Sequence, residues 1–109
     1  MTKGIEFNIP TATSVEKARG IPRRFVVGDR VIKFMLQYDR DNKLTLLTHF
    51  ASGCKFGNLN DAETELMCKL SPYHRFSKRQ LAEFLIDKMV FRFGIDKVLA
   101  TIDAAPVIN

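Results

Sequence analysis

The chain has 109 residues, of which 46% are hydrophobic and 27% charged, with a formal net charge of +5. This balance is that of a soluble globular protein, and the length predicts one compact domain over residues 1–109. No apolar run approaches the roughly 20 residues that span a bilayer, so we expect neither a transmembrane helix nor a membrane partner. Polar residues interrupt the apolar start that a signal peptide needs, so we expect a cytoplasmic protein with reduced cysteines.

The N-terminal 22 residues predict an edge strand followed by a loop. Apolar and polar residues alternate over 5–9 until Pro10 stops the pattern, which is typical of a short strand. Residues 11–22 are polar and include glycine and proline, so we expect a loop there, with room for one helical turn at 14–18. The pattern leaves open whether the strand pairs within the chain or with another copy.

Residues 23–51 predict a three-stranded antiparallel meander. A Gly-Asp pair at 28–29 is a two-residue hairpin signal, and it pairs Phe25 with Ile32. A turn at 40–42, with its asparagine in the left-handed conformation, joins the next two strands. The predicted strands cover residues 23–27, 30–39 and 43–51.

The apolar alternation predicts one register for the second hairpin. Extended from the turn, the pairs are Tyr38 with Leu44, Leu36 with Leu46, Phe34 with Thr48, and Ile32 with Phe50. Seven of these eight side chains are apolar, and we expect them to share one buried face. A slip of one residue would move the whole set to the opposite face.

After residue 57 the apolar period changes from two to about 3.6, which predicts helices. A capping pattern from Asn60 to Glu63 starts a helix that extends to residue 70. A second capping box begins at Ser77, and that helix continues to residue 93, where Gly94 ends it. Apolar residues at 98, 99 and 102 predict a short final helix.

These elements predict an α+β fold, in which a three- or four-stranded antiparallel meander sheet carries two to three helices on one face. Residues 1–22 supply the optional edge strand and a loop, residues 23–51 the meander, and residues 60–104 the helices. The chain has no internal repeat, low-complexity tract or linker that would divide it.

Two phenylalanines of the helix 77–93 lie outside its apolar half. On a helical wheel, Phe84 and Phe91 form a second stripe beside Lys88. One interpretation is that another part of the chain covers this stripe, as is usual for the longest helix of a small domain. The other is that the stripe contacts a partner or a second copy of the chain.

The residues that commonly carry chemistry form no recognisable site. The spacing of His49, Cys54, Cys68 and His74 is unlike that of a zinc-binding motif, so we expect no metal, and two surface histidines instead. Cys54 beside Lys55 is the only thiol in a loop-like setting, and a thiol enzyme is therefore a distant third alternative. We predict no catalytic residues, no cofactor and no enzymatic activity.

A basic and aromatic segment before and at the start of the second helix carries the strongest functional signal. Arg75, Lys78 and Arg79 are candidates for contacts to phosphate groups, beside a helix N-terminus that favours anions. Tyr73 is a candidate for stacking on a base. The segment therefore predicts nucleic-acid binding.

A second basic cluster, which contains Arg23 and Arg24, begins the first strand of the meander. The sequence does not show whether this cluster and the segment 75–79 share a face. Together they predict a small non-enzymatic binding or regulatory domain with a basic face. Nucleic acid is the first candidate for its partner, and an acidic protein is another.

The alternative function is a protein–protein interaction module, or a homodimeric adaptor or inhibitor. It would use an apolar patch around Phe84 and Phe91, which we expect to resist salt. The second face of the sheet would contribute further apolar residues to this contact. These are Val26, Val31, Met35 and Leu47.

Overall fold

The computed structural model describes residues 4–69 and 75–109, and within them the fold is α+β. The five strands form one antiparallel meander sheet in chain order, rather than the three or four strands predicted. They are β1 (Ile5–Pro10), β2 (Val15–Val27), β3 (Arg30–Tyr38), β4 (Leu44–His49) and β5 (Lys55–Asn58). The helices are α1 (Leu59–Lys69), α2 (Lys78–Phe93) and α3 (Ile95–Ala104).

Strand β2, with 13 residues, is more than twice as long as the predicted strand 23–27, and the loop expected over residues 11–22 covers only residues 11–14. Its first part pairs with β1, from Pro10 opposite Val15 to Ile5 opposite Gly20, so β1 pairs within the chain. Gly20 lies within this strand, and the position needs a glycine because a Cβ there would lie 2.4 Å from the Leu36 carbonyl oxygen. The glycine here therefore reflects the close approach of neighbouring strands, not a loop.

The β2–β3 hairpin follows the sequence prediction. Gly28 has a φ of 66°, as a two-residue turn with positive φ requires. Phe25 lies opposite Ile32, and the pairing continues to Gly20 opposite Gln37. The local turn signal was therefore sufficient to set this register.

The β3–β4 hairpin follows the prediction only at its turn. Asn42 has a φ of 59°, and the Asp39 backbone N–H donates to the Lys43 carbonyl oxygen at 2.8 Å. Tyr38 lies opposite Leu44, as predicted, but a bulge between Gln37 and Tyr38 then shifts the register by one residue.

The shift corrects the predicted pairs of β4. Leu36 lies opposite Leu47 and Phe34 opposite His49, in place of Leu46 and Thr48. A shift of one residue exchanges the two faces of a strand. Leu47 therefore joins the core beneath the helices, fully buried, and His49 stacks edge-on to Phe34 with ring centroids 5.8 Å apart.

The main core lies between the sheet and the three helices. The sheet contributes side chains from three strands, and each helix contributes at least one fully or nearly buried residue. The buried members are Phe25, Val27, Ile32, Phe34, Leu36, Leu47, Leu59, Ala62, Leu81, Ala82, Ile86 and Val98.

The helix boundaries depend on local caps. Asn58, not the predicted Asn60, caps α1: its Oδ1 accepts hydrogen bonds from the backbone N–H groups of Asn60 and Asp61 at 2.8 and 3.2 Å. The capping box of α2 between Ser77 and Gln80 is present as predicted. Gly94 ends α2, and α3 begins at the next residue.

The second face of the sheet encloses a smaller core. Phe7 and Met35 are almost fully buried there, and the Phe7 and Phe50 ring centroids lie 6.4 Å apart. The loop of residues 50–53 reaches across to β1, where it is held by Asn109. The Asn109 side-chain amide donates to the carbonyl oxygens of Asn8 and Phe50 at 2.8 and 2.7 Å.

Two glycine variants test the contact between the loop of residues 50–53 and β1. Gly53 and Gly94 both have positive φ, so alanine at either position adds backbone strain of about 1–3 kcal/mol. Only at Gly53 would the new Cβ collide, 2.3 Å from the Asn8 carbonyl oxygen, whereas nothing lies within 4 Å at Gly94. We expect urea unfolding to show a further loss of about 1–3 kcal/mol for Gly53→Ala. Equal losses for the two variants would contradict the close contact.

Candidate functional site

A basic depression lies where the β2–β3 hairpin meets the start of α2. It is lined by Pro22 and by four cationic side chains, Arg23, Arg24, Lys33 and Arg79. Among the residues that the structure describes, no carboxylate lines it. Arg79 of one predicted basic cluster and Arg23 and Arg24 of the other therefore share one surface, which we call the basic depression.

Arg79 is fixed by three contacts. Its Nη2 donates to the Arg24 carbonyl oxygen at 3.4 Å, and its guanidinium carbon lies 4.9 Å from the centroid of the Phe25 ring. Its Nε lies 3.1 Å from the Glu83 carboxylate, one helical turn further along α2. Arg79 thus joins the helix to the strand, with its charge partly neutralised.

The other three cations lie on the paired strands β2 and β3. Arg24 and Lys33 lie opposite each other in the β2–β3 ladder, where like charges are destabilising. The Lys33 Nζ lies 3.9 Å from the Phe50 ring centroid, and Arg23 donates to the neighbouring Pro22 carbonyl oxygen at 2.8 Å. Within residues 4–69 and 75–109, no carboxylate lies at ion-pair distance from Arg23, Arg24 or Lys33.

The remaining predicted phosphate contacts lie outside the lining of the basic depression. Arg75 and Lys78 are exposed at and just before the start of α2. Tyr73, the predicted stacking residue, lies outside the described residues. Lys33 is not among the predicted phosphate contacts, although the predicted pairing of Phe25 with Ile32 already places it opposite Arg24.

The two phenylalanines of the predicted second stripe have different environments. Phe84 is half-buried and packs against the main core, whereas Phe91 is 93% exposed. The sheet residues proposed for the same patch also differ in exposure. Val26 and Val31 lie opposite each other and are exposed, whereas Met35 and Leu47 are buried, Leu47 beneath the helices.

His49 is buried, which corrects the expectation of a surface histidine. Its Nδ1 lies 2.8 Å from the Ser52 Oγ, which itself accepts a hydrogen bond from the Cys54 backbone N–H at 3.2 Å. Burial lowers the pKa of the His49 imidazole below its ordinary value, and the positive charge of Arg30 lowers it further, against the opposing charge of Asp103. The neutral form of the ring is therefore favoured.

The neighbouring ion pair links the last helix to the sheet. Arg30 donates from both terminal nitrogens to the two carboxylate oxygens of Asp103, at 2.9 and 2.8 Å. These hydrogen bonds lower the pKa of Asp103 below its ordinary value. Since both side chains are about half exposed, the pair serves mainly to orient α3 on the hairpin.

The candidates for metal and thiol chemistry are dispersed. Cys54 and Cys68 are exposed free thiols, and His74 lies outside the described residues. In the part of the chain that the structure describes, no group of three or more His, Cys, Asp or Glu side chains is arranged to hold a metal ion. Across the same residues, none of the helices has the length and apolar content needed to cross a membrane.

Comparisons with protein-family models, with curated proteins and with solved structures found no match for this chain. No activity or partner is therefore transferred to it from a relative. The features that distinguish the molecule are two on its surface, the basic depression and the exposed Phe91, and one in its interior, the buried His49.

The lowered pKa of His49 predicts a pH-dependent stability. Between the ordinary histidine pKa near 6.5 and the lower folded value, the unfolded chain binds a proton that the folded chain excludes. The free energy of unfolding should thus be highest above pH 6.5 and fall on acidification, by at most about 1.4 kcal/mol per pH unit. Urea titrations between pH 7.5 and 5.5 measure this slope. His49→Gln should flatten this slope, and an unchanged slope in that variant would contradict the burial of the imidazole.

Proposed function

We propose that this protein is a small non-enzymatic binding domain that takes up a polyanion, in the first place a nucleic acid, on the basic depression. The observation that supports the proposal is the convergence of Arg23, Arg24, Lys33 and Arg79 without a lining carboxylate among the described residues. A regulatory role would follow from this binding.

The repulsion within the basic depression favours an anionic partner. Arg24 and Lys33 face each other across two paired strands, an arrangement that costs about 0.2–1 kcal/mol relative to a neutral pair. A phosphate group between them would replace that repulsion with two attractive contacts. Each neutralised phosphate also releases counterions, which provides much of the affinity of proteins for nucleic acids.

Arg79 is suited to orient such a partner because it is already held in place. Its contacts to Phe25 and Glu83 reduce the side-chain entropy that an arginine loses on binding. In this proposal Arg75 and Lys78 extend the phosphate contacts beyond the basic depression, and Tyr73 stacks on a base. None of these contacts reads a base edge, so we expect little sequence preference.

Salt dependence tests the proposal. We expect a fluorescent mixed-sequence oligonucleotide to bind with an affinity that falls steeply between about 50 and 200 mM salt. The double variant Arg24→Gln, Lys33→Gln should weaken binding and reduce the slope of log affinity against log salt by about 1.4–1.8, which corresponds to two lost phosphates.

The matched control is the double variant Arg40→Gln, Lys43→Gln, which removes the same charge from the exposed turn between β3 and β4. It should retain the slope. Affinity that does not change with salt would overturn the proposal, and so would equal losses in the two double variants, because net charge alone would then explain binding. Fluorescence anisotropy of the oligonucleotide measures both the affinity and its dependence on salt.

We propose as a second function a protein contact, in a homodimer or an adaptor, through Phe91. A phenylalanine that is 93% exposed on a helix contributes no packing to its own domain, and large exposed aromatic side chains are typical of interfaces. Phe84 would contribute only at the margin of this contact, because it packs against the core.

Light scattering separates this second function from the first. A dimer formed through Phe91 should persist at high salt, need no oligonucleotide, and become a folded monomer in Phe91→Asp. Phe84→Asp should instead lower the free energy of unfolding by about 2–5 kcal/mol, because it places a charge beside the core. A wild-type monomer at both salt concentrations, or a dimer unchanged in Phe91→Asp, would contradict the contact.

A further inference from the structure

An apolar pocket lies between α2, α3 and β5, at the end of α2 distant from the basic depression. It has a volume of about 230 Å³. Five of the seven side chains that line it are apolar, and the other two belong to α3. The lining residues are Phe56, Met89, Phe93, Lys97, Val98, Thr101 and Ile102.

The pocket exists because α2 and α3 meet at a single residue and then diverge. Gly94, with a φ of 86°, turns the chain directly from one helix into the next. Its N–H donates to the Val90 carbonyl oxygen at 2.8 Å, and its own carbonyl oxygen accepts from Val98 at 3.1 Å. Phe56, stacked edge-on against Phe34 at 5.1 Å, lines the wedge from the sheet side.

Two cations lie beside the Phe93 ring, and one of them, Lys97, lines the pocket. The Arg92 guanidinium carbon and the Lys97 Nζ lie 5.3 and 5.6 Å from the centroid of the Phe93 ring. Outside the undescribed residues 1–3 and 70–74, no carboxylate is at ion-pair distance from either cation. The Thr101 hydroxyl donates to the Lys97 carbonyl oxygen at 2.8 Å, so it is already used within α3.

We infer that this pocket is a second binding site, for an unbranched apolar chain that ends in a carboxylate. The lining would take up the chain, and the carboxylate would contact Lys97, the cation that lines the pocket. The size also matches: an apolar cavity of about 150 Å³ binds benzene, so a volume of about 230 Å³ accommodates about eight or nine carbon atoms. A medium-chain fatty acid has this chemistry and length.

This site is independent of the proposed polyanion binding. None of the residues that line the pocket lines the basic depression. A nucleic acid matches the basic depression but not the pocket, because its phosphate backbone carries no apolar chain. The pocket in turn offers too little charge for a polyanion.

A chain-length series tests the inference. The probes are straight-chain carboxylates of four to twelve carbons below their micelle concentrations, followed by NMR amide shifts in the wild-type protein. Affinity should rise about fourfold for each added methylene, which corresponds to about 0.8 kcal/mol per buried CH₂, and level off near eight carbons. Shifts confined to Phe56, α2 and α3 would support the site. An affinity that increases through twelve carbons without levelling, or shifts spread over the surface, would overturn it.

Two exposed positions allow variants that leave the core unchanged. Thr101→Phe should fill the pocket and abolish binding. Lys97→Gln should weaken octanoate by about fivefold, as expected for an exposed ion pair worth up to about 1 kcal/mol, and bring it close to 1-octanol. Lys43→Gln, on the exposed turn, is the matched control for charge. Octanol bound as tightly as octanoate by the wild type would overturn the role of Lys97, and unchanged binding in Thr101→Phe would overturn the site.

Discussion

The one-residue offset between β3 and β4 is the constraint on which the rest of the fold depends. The bulge between Gln37 and Tyr38 directs Leu47 into the centre of the core beneath the helices. Without it, Leu46 and the polar Thr48 would occupy the helix-facing side in place of Leu47 and His49. With the offset, Thr48 instead lies on the second face, where its hydroxyl donates to the Gln37 side-chain oxygen at 2.7 Å.

This arrangement produces two cores, one on each face of the sheet. The helices cover one face, while the loop of residues 50–53 and the C-terminal residue Asn109 close over the other. His49 sits where these two arrangements meet, between Phe34 and Ser52. Burial of a neutral imidazole with one hydrogen bond costs little free energy at neutral pH, whereas its protonation would place a charge in a buried site.

Helix α2 connects the two surfaces for which we propose functions. Arg79, in its first turn, contributes to the basic depression, and Phe93, at its end, lines the apolar pocket. Fourteen residues at about 1.5 Å each separate these positions by about 21 Å along the helix axis. The rigid helix thus supports both surfaces without making them overlap. An acidic polymer and an apolar acid would therefore occupy different parts of the molecule.

Several sequence predictions failed because the features concerned depend on contacts between segments that are distant in the chain. The pattern around Gly20 and Pro22 is that of a loop until β1 and β3 are placed on either side of it. The exposure of Phe91 and the burial of Phe84 cannot be separated on a helical wheel, because both lie on the same stripe. Only the position of the neighbouring elements distinguishes them.

The sequence by itself determined the features whose energy is local. The turn at Asn42, the hairpin at Gly28 and the capping box at Ser77 each depend on the conformation and hydrogen bonds of adjacent residues. Tertiary structure alone decided that Arg79 lies against Arg24, 55 positions apart in the chain. That contact needs α2 to pack across the sheet. The packing follows from burial of the whole core rather than from any short pattern.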